Sequence, residues 1–284
     1  MTALDWGRHY LLCPPQHFGV LYEINPWMHD AASGEVAVDV DAALDQWDAL
    51  YRTLLDAGAD IDTIDQPDGV PDLVFTANAG LLNARSRRFV PSHFRHPERQ
   101  PETEVFASWF ADQGWDVDRL PDDVDHEGAG DALPFGPPDQ RVLVSGYRPR
   151  SDAIAGNHLT ALLDVPVRSV ELVDERLYHL DLTFCPLDDR RALCAPLGWD
   201  RYGRTVIESL VPEPLWLEDD EALAFCANSV VVGSRIVMPS CPPRVGRILE
   251  SWGFDVAVCP VDEFLKAGGG CRCLTLALDV TFGR

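Results

Sequence analysis

The sequence predicts an α/β fold in which a unit of about fifty residues is repeated five times around a closed ring. Three observations support this prediction. Five segments have the apolar spacing of amphipathic helices, a short stretch rich in branched residues follows each of them, and pairs of apolar runs typical of hairpins lie in between. An ordinary α/β sheet with irregular connections is the alternative that these patterns leave open.

The predicted elements follow one another in the same order along the chain. Helical spacing occurs at approximately residues 40–57, 102–113, 152–163, 201–210 and 243–252. The extended stretches that follow these helices lie at residues 61–64, 117–120, 167–172, 214–218 and 256–261. The clearest hairpin is 229–239, with Gly233 and Ser234 as its turn. The N-terminal run 9–13 is predicted to supply the strand that the last unit lacks, which would close the ring.

Polar residues recur at the start of successive hairpins, and their spacing defines the repeat. They are Asn78, Asp131, Asp181, Asn228 and Cys273, separated by 53, 50, 47 and 45 residues. Equivalent strand ends of a closed ring meet near its axis. We therefore expect these residues, although distant in sequence, to share one central cleft.

The composition is strongly acidic. Asp and Glu number 46 against 23 Lys and Arg, the formal net charge is -23, and Lys266 is the only lysine. Such a field repels phosphate groups, so neither nucleic acids nor membranes are expected as partners, whereas a small cationic substrate would be attracted. A lysine-poor acidic surface is also typical of proteins from a high-salt cytoplasm, and on that interpretation the charge has no catalytic meaning.

The cysteines indicate a reducing compartment. The eight thiols lie scattered, mostly within apolar runs, and no Cys-x-x-Cys pair occurs. Cys271 and Cys273 have no second Cys or His cluster beside them, so neither a metal site nor a cofactor is expected. Since the sequence has neither an apolar run of about 18 residues nor the basic start of a signal peptide, we expect a cytoplasmic protein.

A glycine-rich segment near the C-terminus contains a candidate nucleophile. The three glycines at 268–270 allow a sharp turn and the close approach of a ligand. The alternation of residue types at 271–280 predicts a strand with Cys273 on its less apolar face. A buried structural thiol is the alternative interpretation of Cys273.

Other segments supply candidate partners for this thiol. Strand alternation would place His179 and Asp181 on one face, as an acid/base beside a cation-binding carboxylate, or simply as a hydrogen-bonded pair. Glu127 opens a glycine-rich turn, where it could equally be a solvated loop acid. Asp72 and Asn78 bracket an apolar run, and Asn78 alone would be a turn former.

Several motifs, in one order along the chain, resemble the guanidino-group-modifying superfamily, whose pentein fold is a propeller of five ββαβ units around a pseudo-fivefold axis. They are INPWM at 24–28, PDLVFTANAGL at 71–81, HPERQ at 96–100, EGAGD at 127–131, YHLD at 178–181 and KAGGGCRCLTL at 266–276. Because the motifs span almost the whole chain, the resemblance implies a single catalytic domain over residues 1–284. INPWM and FTAN are most similar to the arginine dihydrolases.

The resemblance implies a catalytic role for three residues. Cys273 would be the nucleophile, His179 the general acid/base, and Glu127 the partner that holds the guanidinium and helps to move protons. Cys271, two residues before Cys273, is the competing thiol. The reaction would pass through a covalent thiouronium intermediate on the cysteine.

The same resemblance implies a substrate-binding set, which consists of Asn25, Asp72, Asn78, Arg99, Arg150 and Asp181. The two arginines would hold the carboxylate of L-arginine, Asp181 its guanidinium and Asp72 its α-amino end. The two asparagines would mark a dihydrolase, because an amide both donates and accepts hydrogen bonds and can retain neutral citrulline for conversion to ornithine, carbon dioxide and ammonia. Arginine deiminase, dimethylarginine dimethylaminohydrolase, amidinotransferase and a catalytically silent arginine-binding module are the alternatives.

Overall fold

The computed structural model describes residues 3–283 and has the predicted α/β architecture. Within these residues, fifteen strands form five three-stranded sheets. The strands are β1 (His9–Leu12), β2 (Asp60–Thr63), β3 (Gly80–Asn83), β4 (Arg88–Pro91), β5 (Asp116–Val117), β6 (Ala132–Phe135), β7 (Val142–Tyr147), β8 (Val167–Glu171), β9 (Phe184–Pro186), β10 (Arg191–Cys194), β11 (Glu213–Trp216), β12 (Val230–Val232), β13 (Arg235–Met238), β14 (Asp255–Val258) and β15 (Leu276–Ala277). The α-helices are α1 (His29–Ala32), α2 (Val40–Asp56), α3 (Gln100–Asp112), α4 (Ala155–Leu163), α5 (Arg201–Leu210), α6 (Asp219–Leu223), α7 (Pro243–Ser251) and α8 (Asp262–Leu265).

Each sheet combines one antiparallel and one parallel strand pair. In the order β3-β4-β5, β3 and β4 form a hairpin, and helix α3 connects β4 to the parallel strand β5. The sheets β6-β7-β8, β9-β10-β11 and β12-β13-β14 repeat this plan, with α4, α5 and α7 as their connecting helices. Each unit is therefore a ββαβ unit.

The fifth sheet joins the two ends of the described chain. Strand β1 lies between β15 and β2, and Tyr10 pairs with both Ala277 and Ile61. The first strand thus completes the last unit, as the sequence predicted, and helix α2 makes the connection to β2. The prediction of five ββαβ units around a ring is confirmed.

The predicted helices form within a few residues of their expected positions, and local interactions explain their starts. Asp39 caps α2 by accepting a hydrogen bond from the N–H of Ala42, and Asp200 caps α5 in the same way. Helix α2 buries Leu50 and Leu54 in the core, each worth roughly 1.5–3 kcal/mol of burial free energy. None of the helices in residues 3–283 is both long and apolar enough to cross a bilayer.

The five polar residues of the repeat are buried and surround the axis of the ring. Near the axis, a hydrogen bond connects each unit to the next. These bonds run from Ala77 N–H to Cys273 O, from Asn78 Nδ2 to Glu127 O, from Leu180 N–H to Asp131 Oδ1, from Asn228 Nδ2 to Asp181 O and from Arg272 N–H to Asn228 Oδ1. The repeat positions therefore meet in one place, as predicted.

Two local strand predictions are wrong. Residues 271–274 form a turn, and strand β15 covers only Leu276–Ala277 of the expected strand 271–280. Leu180–Leu182 form a 3-10 turn, so His179 and Asp181 do not share one face of a strand. In both segments the side chains are buried whichever way they point, because the segments lie at the centre of the ring. In these segments, the alternation of residue types therefore does not indicate that a strand has one buried and one exposed face.

Candidate active site

Cys273 lies in a buried turn whose shape depends on the glycines before it. Gly268 has a φ of 82°, in the left-handed region that favours glycine. A Cβ atom on Gly269 would lie 2.3 Å from the ring of Phe75, so no side chain fits there. The glycine run therefore allows the chain to pass close to the cavity and present the thiol.

The Sγ atom of Cys273 has two polar neighbours. The thiol donates to Oδ2 of Asp181 at 3.3 Å, and Nδ2 of Asn228 donates to Sγ at 3.1 Å. Burial, and then the charge of Asp181, raise the pKa of Cys273 well above its ordinary value. Burial also raises the pKa of Asp181 to about 7. The sulfur is therefore a thiol at neutral pH, and a cation bound beside it would favour the thiolate.

His179 and Glu127 form a buried pair. Nε2 of His179 donates to Oε2 of Glu127 at 2.9 Å, and Nη1 of Arg150 donates to the same oxygen at 3.0 Å. Burial lowers the pKa of His179 to about 4 although Glu127 opposes the shift, so the imidazole is neutral at pH 7. Burial disfavours the charge on Glu127, but Arg150 and His179 outweigh it and lower the pKa of that carboxyl. A neutral imidazole thus lies beside a carboxylate.

A narrow cavity of about 10 Å³ lies against Cys273. It is lined by Ile24, Asn25, Met28, Asp72, Phe75, Asn78, Arg99, Arg150, Tyr178, Ala267 and Cys273. Glu127 and Asp181 lie behind this wall, where they contact Arg150 and Cys273. Among the carboxylates in or behind this wall, three buried oxygens have no hydrogen-bond partner within residues 3–283: Oδ1 of Asp72, Oε1 of Glu127 and Oδ1 of Asp181. Since buried carboxylate oxygens are normally paired, this arrangement suits a cationic ligand with several N–H donors.

Asn25 lines the cavity from the segment that precedes helix α1. Its Nδ2 donates to the carbonyl oxygen of Ala267 at 3.0 Å, and its Oδ1 accepts from the N–H of Trp27 at 3.0 Å. A Cβ atom on Gly268 would lie 2.9 Å from this Oδ1. Asn25 therefore packs directly against the glycine run that leads to Cys273.

Asn78 and Arg99 form part of the opposite wall. Nη1 of Arg99 donates to Oδ1 of Asn78 at 3.0 Å, while its Nε and Nη2 each donate to Glu102 at 2.8 Å. Nη2 also lies 3.3 Å from the carbonyl oxygen of Asp72. Most donors of Arg99 are thus already used by the protein, and the predicted contact with a substrate carboxylate would have to compete with them.

Arg150 connects the cavity to a wider outer cleft of about 700 Å³. Its Nη2 donates to the carbonyl oxygen of Ile24 at 2.8 Å, and its Cζ lies 4.8 Å from the centre of the Tyr178 ring. The acidic side chains that line the cleft are Glu23, Asp30 and Glu175. The path to the cavity therefore passes carboxylates that attract a cation.

The competing thiol has a different environment. Sγ of Cys271 donates to the carbonyl oxygen of Cys259 at 3.5 Å and has no contact with Asp181 among the hydrogen bonds of residues 3–283. All eight cysteines are free thiols, and Cys241 alone is only partly buried. Among the same residues, no group of three or more His, Cys, Asp or Glu side chains is arranged to hold a metal ion.

Sequence reasoning gave no role to four residues of this site. Asn228 contacts the sulfur of Cys273, and Tyr178 donates to the carbonyl oxygen of Gly268 at 2.8 Å. Tyr22 donates to Oδ2 of Asp72 at 2.9 Å, and Glu102 pairs with Arg99. The repeat had singled out Asn228 by its position. The two tyrosines and Glu102 carry no signal in the sequence, since such residues are common in loops and helices.

No protein-family model matches the chain. Among curated proteins, the chain is 41% identical over 269 residues to the bifunctional arginine dihydrolase/ornithine cyclodeaminase AgrE of Nostoc sp. and 40% identical over 268 residues to ArgZ of Synechocystis sp., which has the same description. Each match covers 94% of this chain but 37% of the relative, so the chain spans little more than a third of their length. It is also 36% identical over 273 residues to the N(G),N(G)-dimethylarginine dimethylaminohydrolase of Mycobacterium tuberculosis, covering 95% of this chain and 86% of that protein.

Solved structures show the same similarity. The N-terminal domain of ArgZ, bound covalently to a reaction intermediate, superposes with a TM-score of 0.92 at 38% identity, over 97% of this chain and 99% of that domain. The same domain bound to substrate, in a mutant with a cysteine replaced by serine, gives a TM-score of 0.91. The structure of a dimethylarginine dimethylaminohydrolase in an adduct with S-methyl-L-thiocitrulline superposes with a TM-score of 0.77 at 21% identity. This similarity supports the fold alone.

Proposed function

Since the chain belongs to the guanidino-group-modifying family of arginine dihydrolases and dimethylarginine dimethylaminohydrolases, we propose that it hydrolyses L-arginine to ornithine, carbon dioxide and ammonia. One observation carries the proposal. The thiol of Cys273 faces a buried cavity that Asp72 lines, Glu127 and Asp181 lie behind its wall, and each of these three carboxylates has an unpaired oxygen. A guanidinium group supplies a positive charge and several N–H donors in one plane, which is the complement of that arrangement.

In the first half of the reaction, the substrate cation favours the thiolate of Cys273. His179, neutral at pH 7, accepts the thiol proton, and the sulfur attacks the central carbon of the guanidinium. The protonated imidazole then donates to the departing ammonia, which leaves a thiouronium on the sulfur. Water that loses a proton to His179 adds to the same carbon, the C–S bond breaks, and citrulline forms.

The second half requires that citrulline stays in the cavity. Citrulline is neutral, so the carboxylates that bind arginine hold it less strongly. The amides of Asn25 and Asn78 offer both donors and acceptors to the ureido group. A second attack and hydrolysis then release ornithine, with the ureido carbon leaving as carbon dioxide and its remaining nitrogen as ammonia.

The other predicted residues would bind and orient the substrate. Asp181 and Glu127 would receive the guanidinium through their unpaired oxygens, and Oδ1 of Asp72 would receive the α-amino group. Arg150 lines both the cavity and the outer cleft, and this position supports its proposed contact with the substrate carboxylate. For Arg99, which already pairs with Glu102, we propose the weaker of the two carboxylate contacts.

Hydrolysis of methylated arginines is the second candidate. The observation in its favour is the similarity to the dimethylarginine dimethylaminohydrolase of Mycobacterium tuberculosis, which covers 86% of that protein. The same nucleophile and acid/base would release an alkylamine in place of ammonia. The reaction would then stop at citrulline.

Product analysis tests the proposal. The purified chain is incubated with arginine, and amino acids and ammonia are measured with time, with Cys273→Ser as the control. We expect two ammonia molecules for each ornithine. Accumulation of citrulline without ornithine would contradict the dihydrolase assignment, faster alkylamine release from dimethylarginine would favour the second candidate, and no release from any guanidino compound would indicate a silent binding module.

Further properties stay predictions. We propose that residues 1–284 act as one catalytic domain, that the protein is cytoplasmic, and that nucleic acids and membranes are not its partners. Repeating the assay in low and high salt tests whether the acidic surface reflects a high-salt environment, since activity would then require salt.

A further inference from the structure

Asn228 is a residue of the fifty-residue repeat to which the family resemblance gives no role. Its side chain has no exposed surface and makes five hydrogen bonds. Oδ1 accepts from the backbone N–H groups of Gly270, Arg272 and Cys273, at 3.0, 3.1 and 3.2 Å. Nδ2 donates to the carbonyl oxygen of Asp181 at 3.2 Å and to Sγ of Cys273 at 3.1 Å.

These contacts determine which end of the amide faces the sulfur. Three N–H groups converge on one atom of Asn228, so only an acceptor can lie there. Exchanging the oxygen and the nitrogen would place the NH2 group against three donors and leave the buried N–H groups of Gly270 and Cys273 without a partner, while that of Arg272 would keep only the backbone oxygen of Asn228. The donor end of Asn228 must therefore point toward Sγ of Cys273.

We propose that Asn228 is a catalytic residue whose Nδ2 stabilises negative charge on the sulfur of Cys273, and that it also anchors the turn around the nucleophile. A hydrogen bond to a charged acceptor is about twice as strong as one to a neutral acceptor, so this bond favours thiolate over thiol. It also favours the sulfur as leaving group when water cleaves the thiouronium. The inference rests on the proposed function, and Asn228 would act in both halves of the reaction.

The surroundings of the sulfur explain why such a donor matters. The titratable side chain that is hydrogen-bonded to Sγ is Asp181, an acid whose charge disfavours the thiolate. Burial and the charge of Asp181 raise the pKa of Cys273, and the hydrogen bond from Asn228 opposes them. Among the described residues, Nδ2 of Asn228 is the side-chain donor that contacts Sγ of Cys273. It favours the thiolate before a cationic substrate binds.

The substitution Asn228→Asp separates the two roles. An Asp oxygen can still accept from the three N–H groups, whereas the atom facing Sγ can no longer donate. Asn83→Asp is the matched control: Asn83 is also buried, its Nδ2 donates to the carbonyl oxygens of Leu163 and Phe282, and its Oδ1 accepts two backbone N–H groups away from Cys273. Asn228→Leu, which keeps the branched shape but removes both the donor and the acceptor without adding charge, shows how much of the effect comes from repulsion by the new carboxylate.

The main measurement is the pH dependence of Cys273 alkylation by iodoacetamide, followed by mass spectrometry. In Asn228→Asp we expect the profile to move to higher pH by about one unit or more, and kcat to fall about 10²-fold with little change in KM, as for loss of one preorganised donor. Asn228→Leu should move the profile in the same direction by less, and Asn83→Asp should leave it unchanged. Unaltered profiles in folded Asn228→Asp and Asn228→Leu would overturn the catalytic role and leave only an anchor.

A measurement on the unmodified chain decides the question if the variants do not fold. The side-chain NH2 protons of Asn228 are followed by NMR while the Cys273 thiol is titrated, with those of Asn83 as the reference. We expect a downfield shift of one Asn228 proton on deprotonation, and no shift would overturn the proposal. Neither readout needs substrate, so shifted profiles in a chain that does not hydrolyse arginine would reject the proposed function while supporting the role of Asn228.

Discussion

The Sγ atom of Cys273 lies 3.3 Å from Oδ2 of Asp181 and donates a hydrogen bond to it. The candidate nucleophile therefore contacts a carboxylate that is itself a candidate for binding the substrate cation. Burial raises the pKa of both groups above their ordinary values. Cys273 is therefore a thiol at neutral pH, whereas Asp181 is about half ionised. A guanidinium bound beside them would favour the charged form of both groups, which couples substrate recognition to nucleophile activation.

This coupling predicts a pH dependence. Burial raises the pKa of Asp181 to about 7, and a group with a raised pKa is neutral below it, so the cation-binding carboxylate is present only above about pH 7. We expect kcat/KM for arginine to fall about tenfold for each pH unit below 7. His179, whose pKa burial lowers to about 4, should not contribute to this limb. A value of kcat/KM that stays constant between pH 5 and pH 7 would contradict the prediction.

The two neighbouring thiols should behave differently. Cys273 faces the cavity and contacts Asp181, whereas Cys271 donates to the carbonyl oxygen of Cys259. We expect Cys273→Ser to abolish turnover and Cys271→Ser to retain most of it. Mass spectrometry of the chain quenched during turnover should place the covalent adduct on Cys273. An adduct on Cys271 with Cys273 unmodified would reverse the assignment.

Asn25→Asp should stop the reaction at citrulline. A carboxylate at this position cannot donate to a ureido oxygen, and it would repel the carbonyl oxygen of Ala267, to which Nδ2 of Asn25 now donates. We expect arginine to be consumed with one ammonia released and no ornithine, measured by amino-acid chromatography. Asn83→Asp controls for the general cost of a buried Asn→Asp change and should still give ornithine. Unchanged ornithine yield in Asn25→Asp would show that Asn25 does not retain the intermediate.

Glu127→Gln should impair both stability and catalysis. Glu127 is buried and pairs with Arg150 and His179, so removing its charge leaves the guanidinium of Arg150 buried without a counter-charge. Removing one partner of a buried pair costs about 3–5 kcal/mol, and Gln, which still accepts one hydrogen bond, should cost less. Urea unfolding measures this, and Glu104→Gln, at an exposed pair with Arg119, should change the free energy of unfolding little.

We also expect kcat of Glu127→Gln to fall by about 10²-fold or more, since His179 loses the carboxylate that orients it. The stability loss and the rate loss can be separated by assaying the variant well below its unfolding temperature. A folded Glu127→Gln variant with normal kcat would exclude Glu127 from the proton-transfer steps.

Local patterns predicted elements well wherever one face of an element is buried. The spacing of α2 and the Gly233 turn between β12 and β13 are examples, because such elements have one inner and one outer side. The same reasoning failed at residues 271–280 and 179–182, where every side chain except that of Asp279 is buried. It also suggested that His179 and Asp181 act together. They belong to different contacts, His179 with Glu127 and Asp181 with Cys273.

The sequence by itself determined the repeat, the order of strands and helices, and the set of polar residues that meet at the axis, because these follow from local periodicity and from a regular spacing. Only the tertiary structure decided which of them touch. Asp181 and Asn228 reach Cys273 across 92 and 45 residues of chain, and closure of the ring brings them together. The orientation of one amide and the unpaired oxygens of three carboxylates depend on that closure, since hydrogen-bond partners are set by packing between units rather than by the order of residues within one.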